Sequence, residues 1–124
     1  MLNNSNMVAL IATSKPNEAK HFYGETLGLH LLTDGPFAIV FDVNGMMLRM
    51  QKVEGHRPQP YAVLGWDVAD IHASVSALSG KGVTFERYEG LNQDESGVWQ
   101  SPSGAQIAWF KDPDGNTLSL TQFA

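Results

Sequence analysis

The spacing of apolar residues changes several times along the first half of the chain, and each change predicts a different element. Residues 7–12 form a short apolar run typical of a buried strand. Residues 16–27 then place apolar side chains on one face at helical spacing, with Ser14 as a candidate cap and Gly28 at the exit. The pattern predicts a strand followed by an amphipathic helix.

Three further strands are predicted after this helix, at residues 29–33, 37–41 and 46–51. Asn44-Gly45 separates the last two, and Asn-Gly between apolar runs is a strong signal for a two-residue hairpin turn. Met46 therefore begins a strand that returns antiparallel to the one before it.

The same order of elements then repeats. Residues 63–68 read as a strand, and Asp70 caps a helix that carries Ile71, Val75 and Leu78 on one face. Four strands are predicted beyond it: 83–87, 97–100, 105–110 and 117–121. Val8 and Val63 are 55 positions apart, which indicates a duplicated unit.

The predicted fold class is therefore α+β, with two βαβββ modules. We expect one domain over residues 1–124, with module one at about 7–53, a linker at about 54–60 and module two at about 61–122. The linker contains Pro58 and Pro60, and residues before proline favour extended backbone.

The final hairpin has the clearest turn chemistry in the chain. Pro113 fixes φ for a turn and Gly115 supplies a positive φ at little cost, between an apolar strand ending at Phe110 and a second strand beginning at Thr117.

This hairpin, together with Phe22-Tyr23 and Leu27-Gly28-Leu29, resembles the glyoxalase/bleomycin-resistance/dioxygenase family of the vicinal oxygen chelate superfamily. The resemblance covers almost the whole chain. It implies a curved mixed sheet that surrounds a cleft, a homodimer, and in the metalloenzymes a divalent ion held by His, Glu or Gln from the first and last strand of each module.

The resemblance places the four metal positions of this sequence on Val8, Val63, Ser119 and, with an uncertain register, near Gln51. Valine has no donor atom, and serine is a poor ligand for zinc, iron or nickel. We therefore expect no metal and no cofactor. None of the four histidines stands in a pair at metal-binding spacing.

Strand alternation predicts which side chains face the cleft. The predicted ligand-binding set combines apolar walls with a few polar groups: Val8, Val63, Trp109, Arg49, Gln51, Asp67 and Ser119. A guanidinium in a cleft favours a carboxylate or phosphate, or an aromatic face. Two interpretations of Arg49 stay open: it binds an anionic ligand, or it pairs with Asp67. Trp109 is either packing or a stacking platform.

Residues 88–99 form an acidic, glycine-flanked insertion that ends in Trp99. It is either a lid over the cleft or an ordinary loop whose tryptophan packs on a neighbouring strand.

Charge and composition limit the classes of partner that this protein is expected to bind. The net charge is -5, and no cluster of Lys or Arg is present, which argues against nucleic acid and anionic membranes. The chain has no cysteine, no signal-peptide pattern and no long apolar run. We expect a cytoplasmic protein.

These features predict a protein that binds a small organic ligand without metal, similar in logic to the drug-sequestering members of the family. The alternative is a metal-dependent lyase, isomerase or ring-cleaving dioxygenase, or a metal-free relative that uses Arg49 and Asp67. A purely structural module would instead fill its cleft with its own side chains.

Overall fold

The computed structural model describes residues 1–124, which divide into two compact units, Met1–Arg57 and Pro58–Ala124. Each unit is a four-stranded mixed sheet with one helix. Neither helix has the length and apolar character needed to cross a membrane.

Unit one begins with a short 3-10 helix, Leu2–Asn4, and continues as a βαβββ module. Its elements are strand β1 (Val8–Thr13), helix α1 (Pro16–His21), and strands β2 (His30–Asp34), β3 (Ala38–Val43) and β4 (Met46–Lys52). The strand order is β1-β4-β3-β2, with β1 parallel to β4 and the other pairs antiparallel.

Unit two repeats this order. Its elements are strand β5 (Ala62–Asp67), helix α2 (Ile71–Ser79), and strands β6 (Trp99–Gln100), β7 (Gln106–Lys111) and β8 (Thr117–Gln122). The strand order is β5-β8-β7-β6, again with the first and last strands parallel. The duplicated α+β fold predicted from the sequence is confirmed, while a cleft within one domain stays a prediction.

One face of each sheet is buried. In unit one the buried side chains include Ile11, Ala19, Tyr23, Ile39, Phe41, Leu48 and Met50. In unit two they include Ile71, Val75, Ala108, Phe110, Leu118 and Leu120. The opposite face, called the open face, is mostly exposed or half-buried, although Ala38, Val40 and Thr117 are buried on it. The predicted site residues lie on this face.

The two helices begin differently. Asp70 caps α2 as predicted, since its carboxylate accepts a hydrogen bond from the Ala73 N–H at 3.1 Å. The Ser14 cap predicted for α1 is wrong: Lys15 occupies the cap position, and the Thr13 hydroxyl accepts a hydrogen bond from its N–H at 3.0 Å.

The first helical segment is also less regular than its sequence pattern. The α-helix ends at His21, and Phe22–Thr26 continues as a π-helical turn. The chain leaves this turn through Gly28, whose φ of +75° agrees with the predicted glycine exit.

The strand predicted at residues 83–87 is wrong. Phe85 forms only an isolated bridge with Phe110, and the Glu86 N–H donates to the Trp109 carbonyl at 2.8 Å. The edge of β7 is therefore shared: Phe85 and Glu86 cover one end, and β6 covers the other. The segments predicted as strands 83–87 and 97–100 together lie beside β7, in the position that β2 holds beside β3 in unit one.

Candidate functional site

The open face of the first sheet carries three of the predicted site residues. Val8 stands opposite Met47, Arg49 opposite Leu10, and Gln51 opposite Ala12. Arg49 and Gln51 are exposed while Leu48 and Met50 are buried, so the alternation predicted for β4 is confirmed. Val8 and Gln51 lie two rows apart, with the row of Arg49 between them.

Strand β3 adds an acidic residue to this face. Asp42 stands opposite Met47, and Val40 stands opposite Arg49. Asp42 borders a depression of about 490 Å³ that the apolar residues Met7, Val8, Leu32, Met46 and Met47 also line. Unit one therefore presents an apolar depression with a carboxylate at its border, and Arg49 lies in the next row of the same face.

The open face of the second sheet carries Asp67, Trp109 and Ser119. Ser119 lies between Gly65 on one side and Trp109 on the other, and Asp67 lies opposite Thr121 in the next row. A Cβ at Gly65 would approach the Ser119 Oγ to 2.7 Å, so the glycine leaves the space that this hydroxyl occupies. Trp109 and Ser119 are direct cross-strand neighbours on this face.

Val63 lies where the pairing of β5 with β8 is irregular. The register shifts between Ala62 and Leu64, so Val63 has no direct partner on β8. Its side chain is 39% exposed. Gly65, and not Val63, is the residue of β5 that stands opposite Ser119.

Three aromatic side chains cluster in unit two. The Trp109 ring lies 5.4 Å from Tyr88 in an edge-to-face arrangement and 6.1 Å from Trp99, centroid to centroid. Trp99 thus packs on a neighbouring strand, as the loop interpretation of residues 88–99 proposed. Burial raises the pKa of the Tyr88 phenol, and the charge of Glu86 adds to the effect.

The insertion before Trp99 is fixed by hydrogen bonds. The Gln93 amide donates to the carbonyls of Glu86 and Gly97 at 2.9 and 2.8 Å and accepts from the Tyr88 N–H at 2.7 Å. Arg87 donates to the carbonyls of Gln93, Asp94 and Glu95. This network holds Tyr88 and Trp99 at the two ends of one closed loop.

Asp94 joins this loop to helix α2. Its carboxylate accepts from the Ser96 N–H, the Ser96 hydroxyl and the Val98 N–H, and it lies 2.8 Å from the His72 Nε2. Burial opposes ionisation, but the hydrogen bonds from His72, Ser96 and Val98 outweigh it and hold the pKa of Asp94 well below its ordinary value.

The lowered pKa of Asp94 predicts a pH-dependent contribution to stability. A carboxyl whose pKa is lower in the folded state stabilises the fold fully above the ordinary pKa of 3.8, and loses this contribution as the pH falls towards the folded value. We expect Asp94→Ala to cost about 1 kcal/mol at pH 7, a value reduced by solvent screening because the side chain is 45% exposed, and less at pH 3.

Urea unfolding at pH 7, 5 and 3 measures this difference. Glu95→Ala is the matched control, because Glu95 is an exposed neighbour in the same loop. An Asp94→Ala deficit that stays constant from pH 7 to pH 3 would contradict the prediction.

The residues at the expected metal positions do not fit a divalent ion. Val8 and Val63 are aliphatic, and Ser119 offers only a hydroxyl. No group of three or more His, Cys, Asp or Glu side chains is arranged to hold a metal.

Asp42 and Tyr88 are the candidate site residues that the sequence analysis missed. The Asn44-Gly45 turn contained the signal for Asp42: a two-residue turn pairs Val43 with Met46, and hence Asp42 with Met47. No sequence signal indicates that Tyr88 packs on Trp109, since the contact depends on the path of the loop.

The comparison with family models identifies the family of this chain. The model of the Glyoxalase/Bleomycin resistance protein/Dioxygenase superfamily matches residues 6–120. No curated protein matches this sequence.

Many solved structures share the fold. A glyoxalase family protein from Enterococcus faecalis is 21% identical with a TM-score of 0.75, covering 98% of this chain and 100% of its own. A superfamily member from Sphaerobacter thermophilus DSM 20745 is 23% identical with a TM-score of 0.75, covering 98% and 99%. TnmS3, an antibiotic binding protein from Streptomyces sp. CB03234, is 25% identical with a TM-score of 0.70, covering 98% of both chains. With its duplicated βαβββ architecture and a family match over nearly its whole length, this chain belongs to the glyoxalase/bleomycin resistance protein/dioxygenase superfamily.

Proposed function

We propose that this protein binds a small organic ligand on its open sheet faces without a metal. The proposed ligand-binding residues are Val8, Val63, Trp109, Arg49, Gln51, Asp67 and Ser119. Their chemistry supports the proposal, because small-molecule sites combine apolar and aromatic walls with a few polar groups.

The donor set is the observation that carries the proposal. A catalytic ion of this superfamily needs several oxygen or nitrogen ligands, whereas Val8 and Val63 have none and Ser119 is a weak one. TnmS3, which binds an antibiotic, provides a precedent for binding within this fold. The alternative stays a metal-dependent lyase, isomerase or ring-cleaving dioxygenase.

Metal analysis of the purified protein tests the proposal against this alternative. We expect zinc, nickel, iron and manganese each at well below one ion per chain after purification without chelator, and no thermal shift when any of them is added. The reason is the absence of donors at Val8 and Val63. One tightly bound ion per chain would contradict the binding-protein proposal. Native mass spectrometry of the same sample identifies any ligand that co-purifies.

The positive charge of Arg49 indicates that the ligand carries a negative charge. We expect aromatic carboxylates to bind, with apolar walls contributing about 25 cal/mol per Å² buried and Arg49 fixing the orientation. Arg49→Ala should weaken binding of indole-3-propionate by about 1.5–3 kcal/mol, the range for a hydrogen bond to a charged group, and leave its neutral amide nearly unchanged.

Isothermal titration calorimetry measures both ligands on each variant. Arg57→Ala is the control, because Arg57 is exposed at the end of unit one and outside the proposed site. If Arg49→Ala binds both compounds as the parent does, Arg49 has no role in recognition.

The proposal includes a homodimer. Strand β1 ends one side of the first sheet, and edge strands are normally covered. A monomer mass by light scattering at micromolar concentration would contradict this part.

A further inference from the structure

We propose that the ligand carries a positive as well as a negative charge, with its ammonium group on Asp42 and its carboxylate on Arg49. This inference rests on the proposed function and makes it more specific. The ligand class is an apolar α-amino acid, or a compound that presents one.

The strand register brings the two charges to one place. Asp42 stands opposite Met47, and Arg49 follows Met47 by two residues on the same strand. Residues in this diagonal relation lie on one face, with their Cα atoms about 7–8 Å apart. A small zwitterion spans such a gap when the long Arg49 side chain turns towards it.

Neither charged group is engaged within its own unit. The aspartate of unit one that forms ion pairs is Asp34, which contacts Lys52 at 2.7 Å and Lys20 at 3.3 Å. Asp42 forms no ion pair, although it is half-buried and stands opposite His30 on β2. A half-buried carboxylate loses part of its hydration, and an ammonium group from a ligand restores it with charge-assisted hydrogen bonds.

The surroundings of Asp42 fit an apolar side chain. The depression beside it measures about 490 Å³, within the range of small-molecule sites. Met7, Met46, Met47 and Leu32 line it and are 78, 52, 42 and 50% exposed. Methionine adapts its shape to an irregular apolar group, so this wall accepts side chains of different outline.

The charges of Asp42 and Arg49 together favour a zwitterion over a simple anion. An anion placed on Arg49 also meets the negative field of Asp42, which opposes binding. The ammonium group of a zwitterion is instead attracted to the Asp42 carboxylate. The selectivity between the two therefore depends on Asp42 and not on the apolar wall.

The test uses three probes with one ring system: tryptophan, indole-3-propionate, which lacks the ammonium, and tryptamine, which lacks the carboxylate. Calorimetry gives the affinity of each for the parent, Asp42→Asn, Arg49→Gln and the control Glu25→Gln, an exposed acid outside this face. Because all five methionines lie in unit one, NMR of ¹³C-methyl methionine locates the binding.

We expect the parent to bind tryptophan about tenfold or more tightly than either single-charge probe, as the loss of one charged hydrogen bond implies. Asp42→Asn should remove this advantage over indole-3-propionate, and Arg49→Gln the advantage over tryptamine. The methyl signals of Met7, Met46 and Met47 should shift, while that of buried Met50 stays in place.

The outcomes separate this inference from the proposal on which it rests. If indole-3-propionate binds as tightly as tryptophan and Asp42→Asn changes neither affinity, the zwitterion inference is overturned and the anion-binding function stands. If tryptamine binds through Asp42 while Arg49→Gln has no effect on any probe, the role of Arg49 fails and the inference fails with it. If no probe binds and no methyl signal moves, both are overturned for this face.

Discussion

Asp112→Ala is expected to lower the free energy of unfolding of unit two by about 2–4 kcal/mol, because it leaves buried donors without partners. The Asp112 Oδ1 accepts from the N–H groups of Asp114 and Asn116, each at 2.9 Å, and its Oδ2 accepts from the Asn116 side-chain amide at 2.9 Å. Asp112 is 7% exposed and Asn116 is 2% exposed, so water does not replace these bonds at low cost.

Tryptophan fluorescence in a urea titration measures this loss directly, because Trp66, Trp99 and Trp109 all lie in unit two. Asp112→Asn keeps one acceptor oxygen and should lose less stability than Asp112→Ala. Glu89→Ala, at an exposed acid of the same unit, should stay within about 0.5 kcal/mol of the parent. Equal losses for Asp112→Ala and Glu89→Ala would show that the carboxylate is dispensable.

Phe110→Ala is expected to cost about 3–5 kcal/mol, the usual range for removing a fully buried phenylalanine. Phe110 is 0% exposed, and its ring lies 6.4 Å from Trp66 and 5.5 Å from Phe85, centroid to centroid. The contact with Phe85 attaches the irregular segment at residues 83–87 to β7. Phe110→Ala therefore removes core packing and also weakens this attachment.

The control for Phe110 is Phe123→Ala, because Phe123 is 66% exposed in the same unit. Its stability should match that of the parent. The double variant with Phe85→Ala should destabilise by less than the sum of the two single variants, since the pair shares one contact. Additive losses would mean that Phe85 and Phe110 stabilise the unit independently.

Turn and capping residues made most of the fold predictable from the sequence. Asn44-Gly45 adopts φ values of +50° and +85°, as a two-residue hairpin turn requires, and it fixes the register of β3 with β4. Asp70 caps α2 in the same local way. Such features depend on residues within a few positions of one another, and the sequence shows them directly.

Features that depend on distant contacts were predicted less well. Residues 83–87 have the composition of a strand, but β7 offers its edge to Phe85 and Glu86 at one end and to β6 at the other, so no regular ladder forms. The π-helical turn at Phe22–Thr26 has no marker in the apolar spacing, which fits an α-helix through residue 27.

The candidate site shows the same difference between features set by neighbouring residues and features set by distant contacts. Alternation correctly placed Arg49 and Gln51 on an exposed face, because it needs only the parity of one strand. The Asn44-Gly45 turn also fixes Asp42 opposite Met47, whereas the pairing of Ser119 with Gly65 requires knowing which distant strands pair and in which register. The register shift between Ala62 and Leu64 likewise has no signal in the sequence. The functional role of all these residues stays a prediction.

The parallel pairing of first and last strands has a consequence for how each unit folds. In unit one, β1 pairs with β4, and in unit two, β5 pairs with β8, so the ladder that completes each sheet joins segments far apart in the chain. The hairpin of β3 and β4 forms from local contacts, whereas the first strand gains its partner only when a long loop closes. We therefore expect each unit to cross its folding barrier with the hairpin formed and the first strand docking late, so substitutions in β1 should speed unfolding more than they slow folding.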